Sequence, residues 1–327
     1  MPDTPPHPYS IATDVVVVIL AAMALLLVVR QMRQNSHPFP YQSRRPVPWG
    51  LIDLGLILMV MIVTQVAMLA TTNWVQSLNG VVVDPKALTL DQQIIRMMAD
   101  SASKLLTLFI GFALVQWRCK ASFDDLGWPR KIRMFDISSG FLMFFLIVVP
   151  VFAIQLVLSL FFKPEHPIIK LLLETPSPMF FIICSVMAIF VAPVVEEFLF
   201  RVIIQGWLEN VATYWKAGRP TREKTNYPQV VLGGSLPIMS NVDSGEPTGS
   251  ESEFPLQPSW WPIVASSLLF ALAHLGNSSD PIPLFVFACG LGYLYQRTHR
   301  LLPCIIVHML LNSISMWKLW LLVQTAK

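Results

Sequence analysis

Long apolar runs constrain this chain more than anything else in it. They fall near residues 11–29, 51–72, 101–117, 137–162, 179–200, 260–275, 282–296 and 301–324, and most are long enough to cross about 30 Å of hydrocarbon. Inside a bilayer every backbone N–H and C=O must be paired within the protein, which leaves helices as the element that such isolated runs form. The pattern predicts an all-α, polytopic integral membrane protein of about eight transmembrane helices. Composition agrees, with 54% hydrophobic and only 13% charged residues, well away from an ordinary soluble domain. The sixth and seventh runs are short and interrupted by Gly276, Pro281, Pro283, Gly290 and Gly292, so packed core helices are the other reading for them.

Charge placement carries more information than the net charge of +3. No Lys or Arg precedes the first run, whereas Arg30, Arg33, Arg44 and Arg45 follow it, the reverse of a cleavable signal peptide. Threading from an external N-terminus puts Arg118, Lys120, Arg130, Lys131, Arg133, Lys216, Arg219, Arg222, Lys224, Arg297 and Arg300 on the cytoplasmic side. Roughly fifteen cations then fall inside and about six outside, with both termini outside. No basic stripe suggests nucleic acid. Cys119, Cys184, Cys289 and Cys304 form no CxxC pair, so neither a disulfide framework nor a cysteine zinc site is indicated.

Two segments read as lying outside the membrane. Residues 73–100 are expected as an external connection, with an interfacial helix near Asp91 to Asp100. Residues 209–258 are polar, rich in Pro, Gly and Ser, and read as a flexible cytoplasmic insertion.

The chemistry sits on three polar pairs within the last apolar runs: Glu196-Glu197-x-x-x-Arg201, Phe270-x-x-x-His274 and His308-x-x-x-Asn312. At about 100° per residue, positions four apart share a helix face, so each pair forms one narrow stripe. Ionisable groups in hydrocarbon cost several kcal/mol, so such stripes turn towards a protein interior or a wet cavity. Converging, they would supply water activation and oxyanion stabilisation. By the same arithmetic Glu197 faces Arg201, while Glu196, about 140° away, is the freer carboxylate and the expected base. Plainer readings remain for each alone: an ordinary i, i+4 ion pair for Glu197 and Arg201, a helix-capping His274, a packing Phe270, and an interhelical hydrogen bond for His308 and Asn312. Simple threading also puts the Glu196 pair near one face and His274 near the other.

This order of motifs resembles the CPBP intramembrane proteases, the family that contains the type II CAAX prenyl endopeptidases and bacteriocin-processing relatives. The resemblance covers about residues 178–320, with Asp125-Leu-Gly-Trp128 looking like the family's upstream region. It implies N-terminal membrane helices and loops over 1–136 and a protease domain over 137–327. It also implies a membrane endopeptidase in which Glu196 and His274 activate water, His308 and Asn312 stabilise the oxyanion, and Glu197 and Arg201 support the site. Phe270 would be a wall. No cofactor is required by this reading. Were zinc used, Glu196, His274 and His308 would be its ligands, although no HExxH segment occurs. Val202 stands where a small residue is usual, and the 209–258 insertion separates the first two motifs. The implied partners are the bilayer and a membrane-associated peptide or protein substrate, in a prokaryotic plasma membrane. A noncatalytic binding or immunity protein and a proton-coupled transporter using the same residues as a relay are the alternatives.

Overall fold

The computed structural model describes residues 8–43, 46–80, 88–128, 131–161, 172, 177–216, 258–275 and 281–325. Among them the chain is entirely helical, in eight rods: α1 (Pro8–Arg33), α2 (Leu51–Leu78), α3 (Leu90–Cys119), α4 (Met134–Ser159), a continuous α5 over residues 178–216, α6 (Trp260–Leu272), α7 (Pro281–Thr298) and α8 (Leu301–Thr325). α1 to α5 and α8 are long and apolar enough to cross a membrane, and α6 is a shorter apolar helix. The chain is an integral membrane protein.

Three boundaries differ from expectation. The fifth apolar run does not stop at residue 200: helix continues to residue 216, so 209–216 belongs to α5 and not to a flexible insertion. Its polar residues misled because Gln205, Glu209 and Asn210 are buried against protein. The remainder of the expected insertion through 257 lies outside the described residues. The segment 73–100 is likewise no free connection, since α2 runs to Leu78 and α3 starts at Leu90. Thr89 caps α3, its hydroxyl accepting from Gln92 N while Gln92 Oε1 accepts from Thr89 N. No Gly or Pro follows until Gly111, so Asp91 to Asp100 opens one long helix instead of forming an interfacial one.

One end of the bundle is stapled by buried carboxylates. Asp53, in the first turn of α2, accepts from Gly50 N at 2.9 Å and from Arg118 Nε, at the end of α3, at 2.6 Å. Asp136, in the first turn of α4, accepts from Arg133 N at 2.8 Å and is paired with Arg300, just ahead of α8. An acidic first turn suits a helix N-terminus, and each guanidinium ties that end to a second element. At the same end Gly127 adopts φ +66, and a Cβ there would stand 3.1 Å from His299 O. Gly127 O accepts from Leu301 N at 2.8 Å. The Asp125 to Trp128 turn therefore docks the α3–α4 connection onto the turn between α7 and α8 and needs glycine to do so.

α4 packs against α1, α7 and α8, while α6 packs on α7 and on the second half of α5. The core lies in this C-terminal assembly, around Phe144, Val202, Ile203, Phe270, Phe287, Leu291, Tyr295 and Val307. α1 shows most of its Val, Ile and Leu side chains outward, as a lipid-facing helix does.

Candidate active site

α5 is not a plain α-helix. Met187–Val191 and Phe198–Gln205 have π geometry and flank the α-helical turn Ala192–Glu197. Such wide turns concentrate at functional sites. The arrangement puts Glu196 and Glu197 at the middle of a 38-residue span, Pro178–Trp215, and α6 ends at Leu272, two residues before His274. Mid-length carboxylates and a half-length partner helix are what let the first and second motifs meet, which equal, straight spans do not allow.

Glu197 and Arg201 are completely buried and paired, Arg201 Nε donating to Glu197 Oε2 at 3.0 Å. The other oxygen of Glu197 lies 2.8 Å from His308 Nδ1. Glu196 takes neither partner. Its Oε2 stands 3.9 Å from His274 Nε2 and 3.9 Å from His308 Nε2, too far for hydrogen bonds, and is buried without one. The side chains of Glu196 and His274 are 20% and 24% exposed against 0% for Glu197, so Glu196 is the more exposed residue of the pair although its Oε2 is itself buried. His274 Nδ1 lies 2.8 Å from Phe270 O. A carbonyl only accepts, so that contact puts a proton on Nδ1; in the neutral imidazole the lone pair is then on Nε2, the nitrogen nearer Glu196.

Phe270 does more than fill space. Its fully buried ring lies 4.8 Å from the His274 ring and 6.0 Å from the His308 ring, with Phe200 edge-on at 5.1 Å and the Arg201 guanidinium at 5.7 Å. One ring therefore orients both imidazoles. Asn312 is held differently: its Nδ2 donates to Ala188 O on α5 at 2.7 Å.

Below the glutamates runs a buried polar column that motif spacing alone did not reveal. Glu197, Arg201, Gln205 and Glu209 follow one another at four-residue intervals and are all buried. In a regular α-helix such a column would drift by about 40° per step; the π turns between Phe198 and Gln205 take up more residues per turn and straighten it. Gln205 Nε2 donates to Glu209 Oε1 at 2.9 Å and to Gly292 O on α7 at 2.8 Å. With its nitrogen so engaged, its oxygen faces Arg201 Nη1 at 3.5 Å. Ser266 Oγ on α6 accepts from the same nitrogen at 3.3 Å and donates to Phe200 O at 3.1 Å. A Cβ at Gly292 would stand 2.9 Å from Ile263, 3.0 Å from Gln205 Oε1 and 3.2 Å from Arg201 Nη1, so glycine permits this close approach of α7. Extending α5 past residue 200 would have exposed the repeat in the sequence.

Zinc sites hold nitrogen and oxygen donors at about 2.0–2.2 Å from the ion. Among the described residues no group of three or more His, Cys, Asp and Glu is placed as a metal set, while Glu196 Oε2 lies 3.9 Å from the Nε2 of each imidazole. Between α5 and α8 lies an apolar cavity of about 420 Å³, lined by Pro178, Phe181, Ile182, Ile189, Met316 and Trp320, among others. Its polar lining residues Ser185 and Ser313 give their hydroxyls to their own helices. Ile189 and Ser313 are the sequence neighbours of Ala188 and Asn312, the pair that joins α5 to α8.

A family model described as type II CAAX prenyl endopeptidase Rce1-like matches residues 248–314. That stretch holds the second motif, Phe270 and His274, and the third, His308 and Asn312. No curated protein and no solved structure matches the chain.

Proposed function

We propose, from the premise that this chain belongs to the CPBP family through its Rce1-like region, that it hydrolyses a peptide bond of a membrane-associated protein by direct attack of water. Peptidase activity is what the family performs. The observation that carries the reading is the unpartnered Glu196 Oε2 between two imidazole nitrogens. A water there would donate to Glu196 and to the lone pair of His274 Nε2. Glu196 takes its proton as the oxygen attacks the scissile carbonyl, and returns that proton to the leaving amine as the tetrahedral intermediate collapses. His308 supports the oxyanion. Because its Nδ1–H is committed to Glu197, it donates from Nε2 only as an imidazolium, flanked by both glutamates. Glu196, Glu197, Arg201 and that imidazolium sum to no net charge, a balance that suits a buried site. In this reading, as the resemblance implies, Asn312 offers its remaining amide hydrogen to the same oxyanion.

The apolar cavity between α5 and α8 favours substrates with an apolar portion beside the cleaved bond, of CAAX type or related. The Arg-rich end that carries Arg118, Arg297 and Arg300 favours the cytoplasmic side, with both termini outside, in a prokaryotic plasma membrane. Chemistry without a metal is the favoured form.

The test is mass-spectrometric profiling of peptides released from membranes carrying the wild-type chain or Glu196→Gln. Products present only with wild type are expected. Identical profiles would replace the peptidase with a binding factor. Retained turnover after chelation and metal analysis is expected for water activated by Glu196, whereas activity restored only by zinc would assign Glu196, His274 and His308 as ligands.

A further inference from the structure

The contact between Asn312 and Ala188 has a stereochemical cause in α5. An α-helical Ala188 O would accept from the N–H of residue 192, but Ala192 N donates to Met187 O, five residues back, in the π pattern of Met187–Val191. In that pattern the donor for Ala188 O would be residue 193, which is Pro193 and has no N–H. Both helical donors are thus removed, and Asn312 Nδ2 supplies the hydrogen at 2.7 Å from another helix. Side chains from elsewhere in the chain reach other carbonyls of the rod too: Ser266 Oγ donates to Phe200 O at 3.1 Å and Trp49 Nε1 to Ile203 O at 3.1 Å, the latter carbonyl also accepting from Gly206 N.

We infer that Asn312 is a positioning residue, which holds the widened turn before Pro193 by capping Ala188 O and thereby fixes the rotation of the short α-helical turn that carries Glu196. Ala192–Glu197 is only 6 residues long, so its orientation is set by the π turns at its ends. A turn before Pro193 that relaxed towards α geometry would rotate Glu196 relative to His274 and His308, whose 3.9 Å spacings define the water position. This inference rests on the peptidase reading for its kinetic consequence but not for its structural one.

The experiment is a double-mutant cycle in the full chain, in lipid nanodiscs, with a fluorogenic prenylated CAAX peptide as probe. Asn312→Leu removes the cap, and Pro193→Ala restores a backbone N–H that Ala188 O can accept. Asn312→Leu is expected to lower kcat about 100-fold with KM unchanged, the scale of a misplaced catalytic group. Pro193→Ala in the same chain is expected to recover at least about tenfold of that loss. Hydrogen exchange over residues 187–197 is the second readout, accelerated by Asn312→Leu and slowed again in the double variant. If Asn312→Leu does not fold, recovery of a folded, monodisperse double variant is the expected result. A double variant that neither folds nor turns over better than Asn312→Leu, with exchange unrescued, overturns the inference and leaves Asn312 acting on the oxyanion alone. Exchange that is rescued while wild type does not cleave the probe upholds the positioning role and removes the prenylated CAAX substrate instead; no released peptides in the profiling experiment as well would remove the peptidase reading.

Discussion

Glu197 lies wholly inside the protein with a guanidinium on one oxygen and an imidazole on the other, whereas its neighbour Glu196 has no contact nearer than 3.9 Å to either imidazole. Neutralising them should therefore have opposite signatures. Glu197→Gln leaves Arg201, 0% exposed, without its counter-charge, and breaking a buried pair in this way costs about 3–5 kcal/mol. A large fall in thermal unfolding temperature is expected, with poor expression. Glu196→Gln removes no paired group, so unfolding should shift little while turnover falls by about 100-fold or more, as for loss of a general base. Differential scanning of both purified variants beside a peptide-release assay checks this. Equal destabilisation of the two would mean that Glu196 is structural.

Gly292 ties α7 to α5 at the level of the polar column. Gly292→Ala places a methyl 2.9 Å from Ile263 and 3.0 Å from Gln205 Oε1, and overpacking of that kind costs about 1–3 kcal/mol. The displaced amide would also loosen Arg201, so turnover should fall by more than the stability change explains; kinetics at a temperature well below unfolding tests that. Helical arithmetic was enough to read the pairing of Glu197 with Arg201 and the freedom of Glu196, because residues four apart stay close to one face in an α turn and in the wider π turn that follows Glu197 alike. It missed Gln205, Glu209 and the length of α5 because polar residues buried against protein look, in sequence, like the beginning of a loop. It could not show the π turns, which depend on which neighbouring side chains take the carbonyls: Asn312 is 124 residues from Ala188, and Ser266 is 66 from Phe200. The meeting of His274 with Glu196 was likewise out of reach, since it depends on α6 ending at Leu272.

Across the whole molecule, the N-terminal helices are fastened to the C-terminal assembly at one end. Arg300 bonds Asp136, with Nη2 to Oδ2 at 2.7 Å, and Lys131 O at 3.0 Å, while Arg297 Nε donates to Phe39 O at 2.7 Å and Asn210 brackets Val47 through both its amide atoms. Asp136 is fully buried, so Arg300→Ala strands a carboxylate and should cost about 3–5 kcal/mol. Asp136→Asn leaves Arg300 partly exposed to solvent and should cost less; chemical unfolding of the two in detergent gives the comparison. The depth of α6 matters in another way. Thirteen residues reach only about 20 Å, two thirds of the hydrocarbon thickness, and His274 follows directly on the capping residue of that helix, Ala273. On the peptidase reading, a helix that falls short of the far interface by about 10 Å sets His274, whose side chain is 24% exposed, nearer to bulk water than a full-length span would, and the attacking water is expected from that side.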